Sequence, residues 1–118
     1  MLVVDAANVI GSRPTGWWRD RAGAARRLHG ALAAAVADAR LPGPVVLVLE
    51  GAGRSGVAAG DEAGVTTVHA PGSGDDEVVA QVRPGAIVVS ADRALRARVE
   101  EHGGSVVGPG WLLERLDY

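Results

Sequence analysis

The chain has 118 residues, 47% of them hydrophobic and 22% charged, with a formal net charge of −2 and no cysteine. That length fits one domain, residues 1–118, around one core, and the absent thiols exclude disulfides, thiolate metal sites and cysteine nucleophiles. The small net charge argues against a strongly basic nucleic-acid binder, and no stretch reaches the roughly 20 apolar residues of a membrane span.

Leu2, Val3 and Val4 form a short apolar run that predicts a buried strand. Asp5 to Asn8 and the Gly- and Pro-bearing stretch after them read as its exit loop. The strand starts without a basic leader, so with no cysteine a cytoplasmic, reducing location is expected. Residues 17–40 then turn helical. Trp18, Ala22, Ala25, Leu28, Leu32, Val36 and Ala39 recur at three- and four-residue steps, with Thr15 as N-cap and Leu41-Pro42-Gly43 as terminator.

Residues 45–49 predict a second strand and residues 65–68 a third, separated by a Gly-rich loop with one helical turn over 51–64. A helix over 75–82, a strand over 86–89, a helix over 92–102, a strand over 105–107 and a short helix over 111–116 complete the pattern. Continuous apolar strands alternating with helices imply a three-layer α/β/α, Rossmann-like sandwich with a mainly parallel sheet of about five strands. The loops leaving the carboxyl ends of such strands gather at one edge, where ligands bind.

Carboxylates collect at that edge. Asp5 follows the first strand, Glu50 the second and Asp92 the fourth, while Asp75 and Asp76 open the helix before the fourth. Asp92 also suits a helix cap, and Asp75, Asp76 and Glu77 suit a first turn facing the helix dipole. Asp5 resists such a reading, because a carboxylate ending an apolar strand lies against the core, where an unpaired charge is costly. Asp75 shares a helix stripe with Val78, Val79 and Val82 and so points at the sheet, whereas Asp76 leans aside.

If Asp5, Asp75 and Asp92 meet within about 4 Å, each pair repels by about 4 kcal/mol at an effective dielectric near 20, and a proton or cation must intervene. Oxygen ligands without thiols favour Mg²⁺ or Mn²⁺. An ion so held activates water and stabilises charge on a phosphodiester. His29, His69 and His102 lack ligand spacing to one another, and neither a Ser-His-Asp arrangement nor a Walker pattern is readable.

Three blocks carry a family likeness: Val3-Val4-Asp5-Ala6-Ala7-Asn8-Val9-Ile10-Gly11, Gly74-Asp75-Asp76-Glu77-Val78-Val79, and Val88-Val89-Ser90-Ala91-Asp92-Arg93-Ala94-Leu95. In order and spacing the chain resembles the NYN branch of the PIN-like domains, the YacP-like group in particular, over nearly its whole length. The resemblance implies a metal-dependent ribonuclease with Asp5, Asp75 and Asp92 as catalytic metal ligands. Asn8, Asp76 and Glu50 would support the site.

RNA, single-stranded or structured, is the implied partner, with Arg13, Trp17, Arg19 and Arg93 as candidate contacts. Trp17 and Trp18 beside arginines suit base stacking, although a core Trp18 and a partly exposed Trp17 at a helix start fit the sequence as well. Self-association stays open. Two other function classes do too: a non-catalytic RNA- or protein-binding module, motivated by Ala6-Ala7 where the family usually has Gly-Tyr, and a metal-dependent phosphohydrolase of a small substrate.

Overall fold

In a computed structural model describing all of residues 1–118, six strands form one sheet: β1 (Leu2–Asp5), β2 (Val45–Leu49), β3 (Gly60–Glu62), β4 (Val65–His69), β5 (Ile87–Val89) and β6 (Ser105–Val107). Their spatial order is β3-β4-β2-β1-β5-β6, parallel throughout except for β3, which pairs antiparallel with β4. Five helices accompany the sheet: α1 (Ala6–Gly11), α2 (Arg21–Ala37), α3 (Gly74–Gln81), α4 (Arg93–Glu101) and α5 (Pro109–Leu113). No helix is long and apolar enough to cross a membrane.

The alternation of side chains along each strand sorts the core into two halves. Leu2, Val4, Leu47, Leu49 and Val65 pack with Val9 of α1, Ala25, Leu28 and Leu32 of α2, and Leu112 of α5. Val3, Val46, Val48 and Val88 pack on the other face with Val78 and Val79 of α3 and Leu95 and Val99 of α4. Because helices cover both faces, β1 and β2 are buried along their whole length. This is the Rossmann-like sandwich that the alternating pattern predicts.

Several boundaries differ from the sequence reading. The expected exit loop after β1 is helix α1, which buries Ala6 and Val9; alanine is the strongest helix former, and the apolar contact at Val9 fixes the turn. The helix expected over residues 17–40 begins as a separate 3₁₀ turn at Trp17–Arg19. Asp20, not Thr15, then caps α2, its Oδ1 accepting the Gly23 N–H at 2.8 Å. The choice is steric: a Cβ at position 23 would strike the Asp20 carboxylate. With the break, Trp18 leaves the buried stripe and stands 54% exposed.

The sheet also has a sixth strand where a loop was expected. Gly51–Gly56 is a 3₁₀ turn, and β3 follows as an edge strand whose three residues are all exposed. No apolar alternation marks it. Its signal is the two-residue link Ala63-Gly64, with φ of 53° and 82°, the positive pair a tight hairpin requires.

Candidate active site

β1 lies between β2 and β5, and the connections into these two neighbours run on opposite faces: α2 leads from β1 to β2 on one face, and α3 leads from β4 to β5 on the other. Outside the carboxyl ends of β1 and β5 the chain therefore opens a crevice, the place where open α/β sheets bind ligands. Asp5 ends β1 there. Two residues beyond Val3, it falls on the α3 and α4 face and is only 3% exposed.

A buried carboxylate needs donors, and Asp5 has two. Its Oδ2 accepts the Ser90 hydroxyl at 2.9 Å, across the crevice from the end of β5, and the Asn8 side-chain amide at 2.6 Å, from one turn along α1. Burial raises its pKa above the usual value, while the hydrogen bonds from Ser90 and Asn8 oppose the rise. The Ser90 hydroxyl oxygen also accepts the Asp92 N–H at 3.1 Å, so one hydroxyl ties β1 to the start of α4.

The other acids arrive from the same face. Asp75 stands in the first turn of α3, where Ser73 caps the helix by accepting the Asp75 N–H at 3.2 Å. Its pKa is pushed up to about 6, first by burial, then by a hydrogen bond to the carboxyl of Asp92 and by the charges of Asp92, Asp5 and Glu50. Asp92 thus does two things: its Oδ1 caps α4 through the Ala94 N–H at 2.9 Å, and its carboxyl meets Asp75. Glu50 leaves β2 on the same side and accepts the Gly74 N–H at 2.7 Å. Gly74 has to be glycine for this, because a Cβ would lie 2.7 Å from the Glu50 Oε2.

The remaining sequence candidates divide. Asn8 reaches the site through Asp5. Asp76 turns away, pairing with Arg98 of α4 at 2.9 Å, as its helix face implies. Arg13 is engaged elsewhere: it donates to the Tyr118 carbonyl at 2.8 Å, with its guanidinium 4.9 Å from the Tyr118 ring centroid. Arg19 lies over Trp18, 5.8 Å from its ring centroid, and Arg93 is exposed at the first position of α4 beside Asp92. Of the histidines, His69 is hydrogen-bonded to the Val57 carbonyl at 2.7 Å and stays out of the cluster. Ser90 is the residue that reasoning from the acids alone missed. Its signal is its position, a polar side chain ending the strand that neighbours β1.

A cleft of about 360 Å³ adjoins the acids on the α2 side. Ala6, Ala7 and Ile10 of α1 form one wall, Trp17 and Arg21 another, and Glu50 stands where it meets the carboxylate crevice.

No three of the carboxylates are close enough to form a ready metal cage. The donor set is nevertheless all oxygen and negative, and the raised pKa of Asp75 reflects in part the repulsion that a cation would relieve. Oxygen donors of this kind are the chemistry of a hard divalent ion that keeps part of its own water.

The fold and this crevice define a Rossmann-like α/β sandwich with a carboxylate cluster at its switch point. Among solved structures the chain is similar to Rae1 (YacP) from Bacillus subtilis, crystallised as a point mutant, with a TM-score of 0.64 and 15% sequence identity over 96% of this chain and 71% of that one. At that identity the likeness is one of fold. No protein-family model matches the chain, and no curated protein matches its sequence.

Proposed function

We propose that the chain is a Mg²⁺- or Mn²⁺-dependent ribonuclease that hydrolyses RNA phosphodiester bonds at the crevice between β1 and β5. One observation carries the reading: Asp5, Glu50, Asp75 and Asp92 gather at one crevice, where burial first and then the neighbouring acids push Asp75 up to about 6. Perturbed acids grouped in a cleft mark functional sites. The YacP-like fold and the three sequence blocks support the same conclusion.

Asp5, Asp75 and Asp92 would hold the ion, which supplies an activated water and neutralises charge on the phosphate. The protein's own part is orientation. Ser90 and Asn8 both engage Oδ2 of Asp5 and so fix its carboxylate, while the Asp92 cap holds that side chain at the crevice. Glu50, braced by Gly74, adds negative charge from the β2 side. Asp76 takes no part. The cysteine-free composition suits work in the cytoplasm.

The test incubates the purified protein with single-stranded and structured RNA, with Mg²⁺, Mn²⁺ or chelator, beside Asp5→Asn and Asp92→Asn. Cleavage should require metal and fall in both variants by more than the roughly 10–100-fold typical of changes beyond the first ligand shell. Equal cleavage by all three proteins overturns the reading. RNA bound by wild type without cleavage in any metal would instead favour a binding module.

A further inference from the structure

The cleft beside the acids is built unlike them. Its walls are the small side chains of Ala6 and Ala7, the apolar Ile10 and the ring of Trp17. The Arg21 guanidinium lies 5.2 Å from the Trp17 ring centroid, so a cation and an aromatic surface stand together. Gly51, Gly53 and Gly72 line the remainder, and Cβ atoms at Gly51 and Gly72 would meet nothing within 4 Å. The space is open, and the backbone there is uncovered by side chains.

Volume and chemistry restrict what fits. About 360 Å³ lies at the lower end of the roughly 300–1,000 Å³ of small-ligand sites. A flat, polarisable group with polar edges suits a Trp and Arg pair flanked by apolar walls, since aromatic rings and guanidinium planes stack on unpaired bases. Arg21 offers donors to acceptor edges. Glu50 contributes acceptor oxygens at the opposite end, one of them taken by Gly74. A carboxylate on that side disfavours a phosphate inside the cleft and places the phosphate with the neighbouring cation site.

We propose that this cleft is a nucleobase subsite that takes one unpaired base of the RNA strand, the base adjoining the phosphate held at Asp5, Asp75 and Asp92. The proposal rests on the ribonuclease reading for the strand that enters it. Trp17 and Arg21 stack on the base, and the small side chains of Ala6 and Ala7 leave room for it. Trp18 points elsewhere: its ring stands 85° to that of Trp17, it is largely exposed, and it lines no part of the cleft.

The experiment scans an abasic nucleotide along a short single-stranded RNA and measures two quantities: cleavage by wild type with Mn²⁺, and binding to the cleavage-deficient Asp5→Asn protein. One abasic position next to the cleaved bond should lower both by about tenfold, the size of one lost stacking contact. Trp17→Ala should lower both on intact RNA by a similar factor and erase the position dependence. Trp17→Phe should restore most of it, and Ala7→Leu should block the cleft while leaving Trp17 in place. Trp18→Ala serves as the unchanged control, and thermal melting shows each variant to be folded.

Cleavage that ignores the abasic position and both cleft substitutions overturns the subsite while leaving the ribonuclease reading standing. Position-dependent binding without any cleavage upholds the subsite and overturns that reading. Neither binding nor cleavage overturns both.

Discussion

The two faces of the sheet are packed by different means, and the carboxylates occupy only one of them. On the α2 face a helix of 17 residues lies close to the sheet and to the turn at Gly51–Gly56, with Ala24, Ala25, Ala31 and Ala35 allowing the approach. The contact is tight enough that a Cβ at Gly56 would overlap the Ala22 carbonyl. On the other face α3 and α4 are short, and each presents its N-terminus to the crevice with an acid, Asp75 in the first turn of α3 and Asp92 as the cap of α4. One face is a rigid support. The other brings negative charge to helix N-termini, whose dipoles offset part of its repulsion.

The largest effect should come from breaking the support. Leu32→Ala on α2 should cost about 2–5 kcal/mol in denaturant unfolding, because the packed Ala and Gly surface around it cannot collapse into the hole. Val99→Ala on α4 removes fewer carbons from the smaller half of the core and should cost about half as much. A greater loss at Val99 would reverse the ranking of the two faces.

Next in size is a pH effect confined to the acid face. The folded-state pKa of Asp75 is raised from 3.8 to about 6, so its proton is held more tightly in the folded than in the unfolded chain. Its contribution is fully present below about pH 4 and is lost as pH rises through 6. Asp75→Asn, uncharged throughout, should therefore match wild type near pH 4 and exceed it in melting temperature at pH 7.5, without metal. A constant difference across that range would mean that Asp75 is not crowded.

Ser90→Ala should cost about 1 kcal/mol, since it removes a donor to buried Asp5 and an acceptor for the Asp92 N–H, and cleavage should fall with it. The smallest effect belongs to the exposed pair Asp76 and Arg98. Asp76→Asn should change stability by roughly 0–1 kcal/mol and leave cleavage intact. Lost cleavage there would return Asp76 to the site.

Much of this could be read from the chain because the signals are local. Continuous Val and Leu runs gave the parallel strands, Asp5 stood out as a charge ending one of them, and helix periodicity separated Asp75 from Asp76. The features that escaped depend on residues far apart or on backbone shape. Ser90 meets Asp5 across 85 residues, and the Asp92 cap proves compatible with a carboxyl facing Asp75. β3 pairs through its backbone and has no buried side chain to announce it. Trp18 fits the helical stripe by spacing and leaves it because Asp20 restarts the helix one residue before Arg21. Arg13 looked free for RNA until the chain folded Tyr118 against it.

The central claim is that these carboxylates bind a divalent cation, and titration calorimetry with Mn²⁺ near pH 6 tests it most directly. Wild type should bind with proton release, visible as a heat that depends on the buffer, because the cation displaces the proton that Asp75 holds with its pKa of about 6. Asp5→Asn should bind much more weakly, and Asp75→Asn should lose the buffer dependence. Binding of equal strength to wild type and Asp5→Asn, or no binding by wild type, would contradict the account.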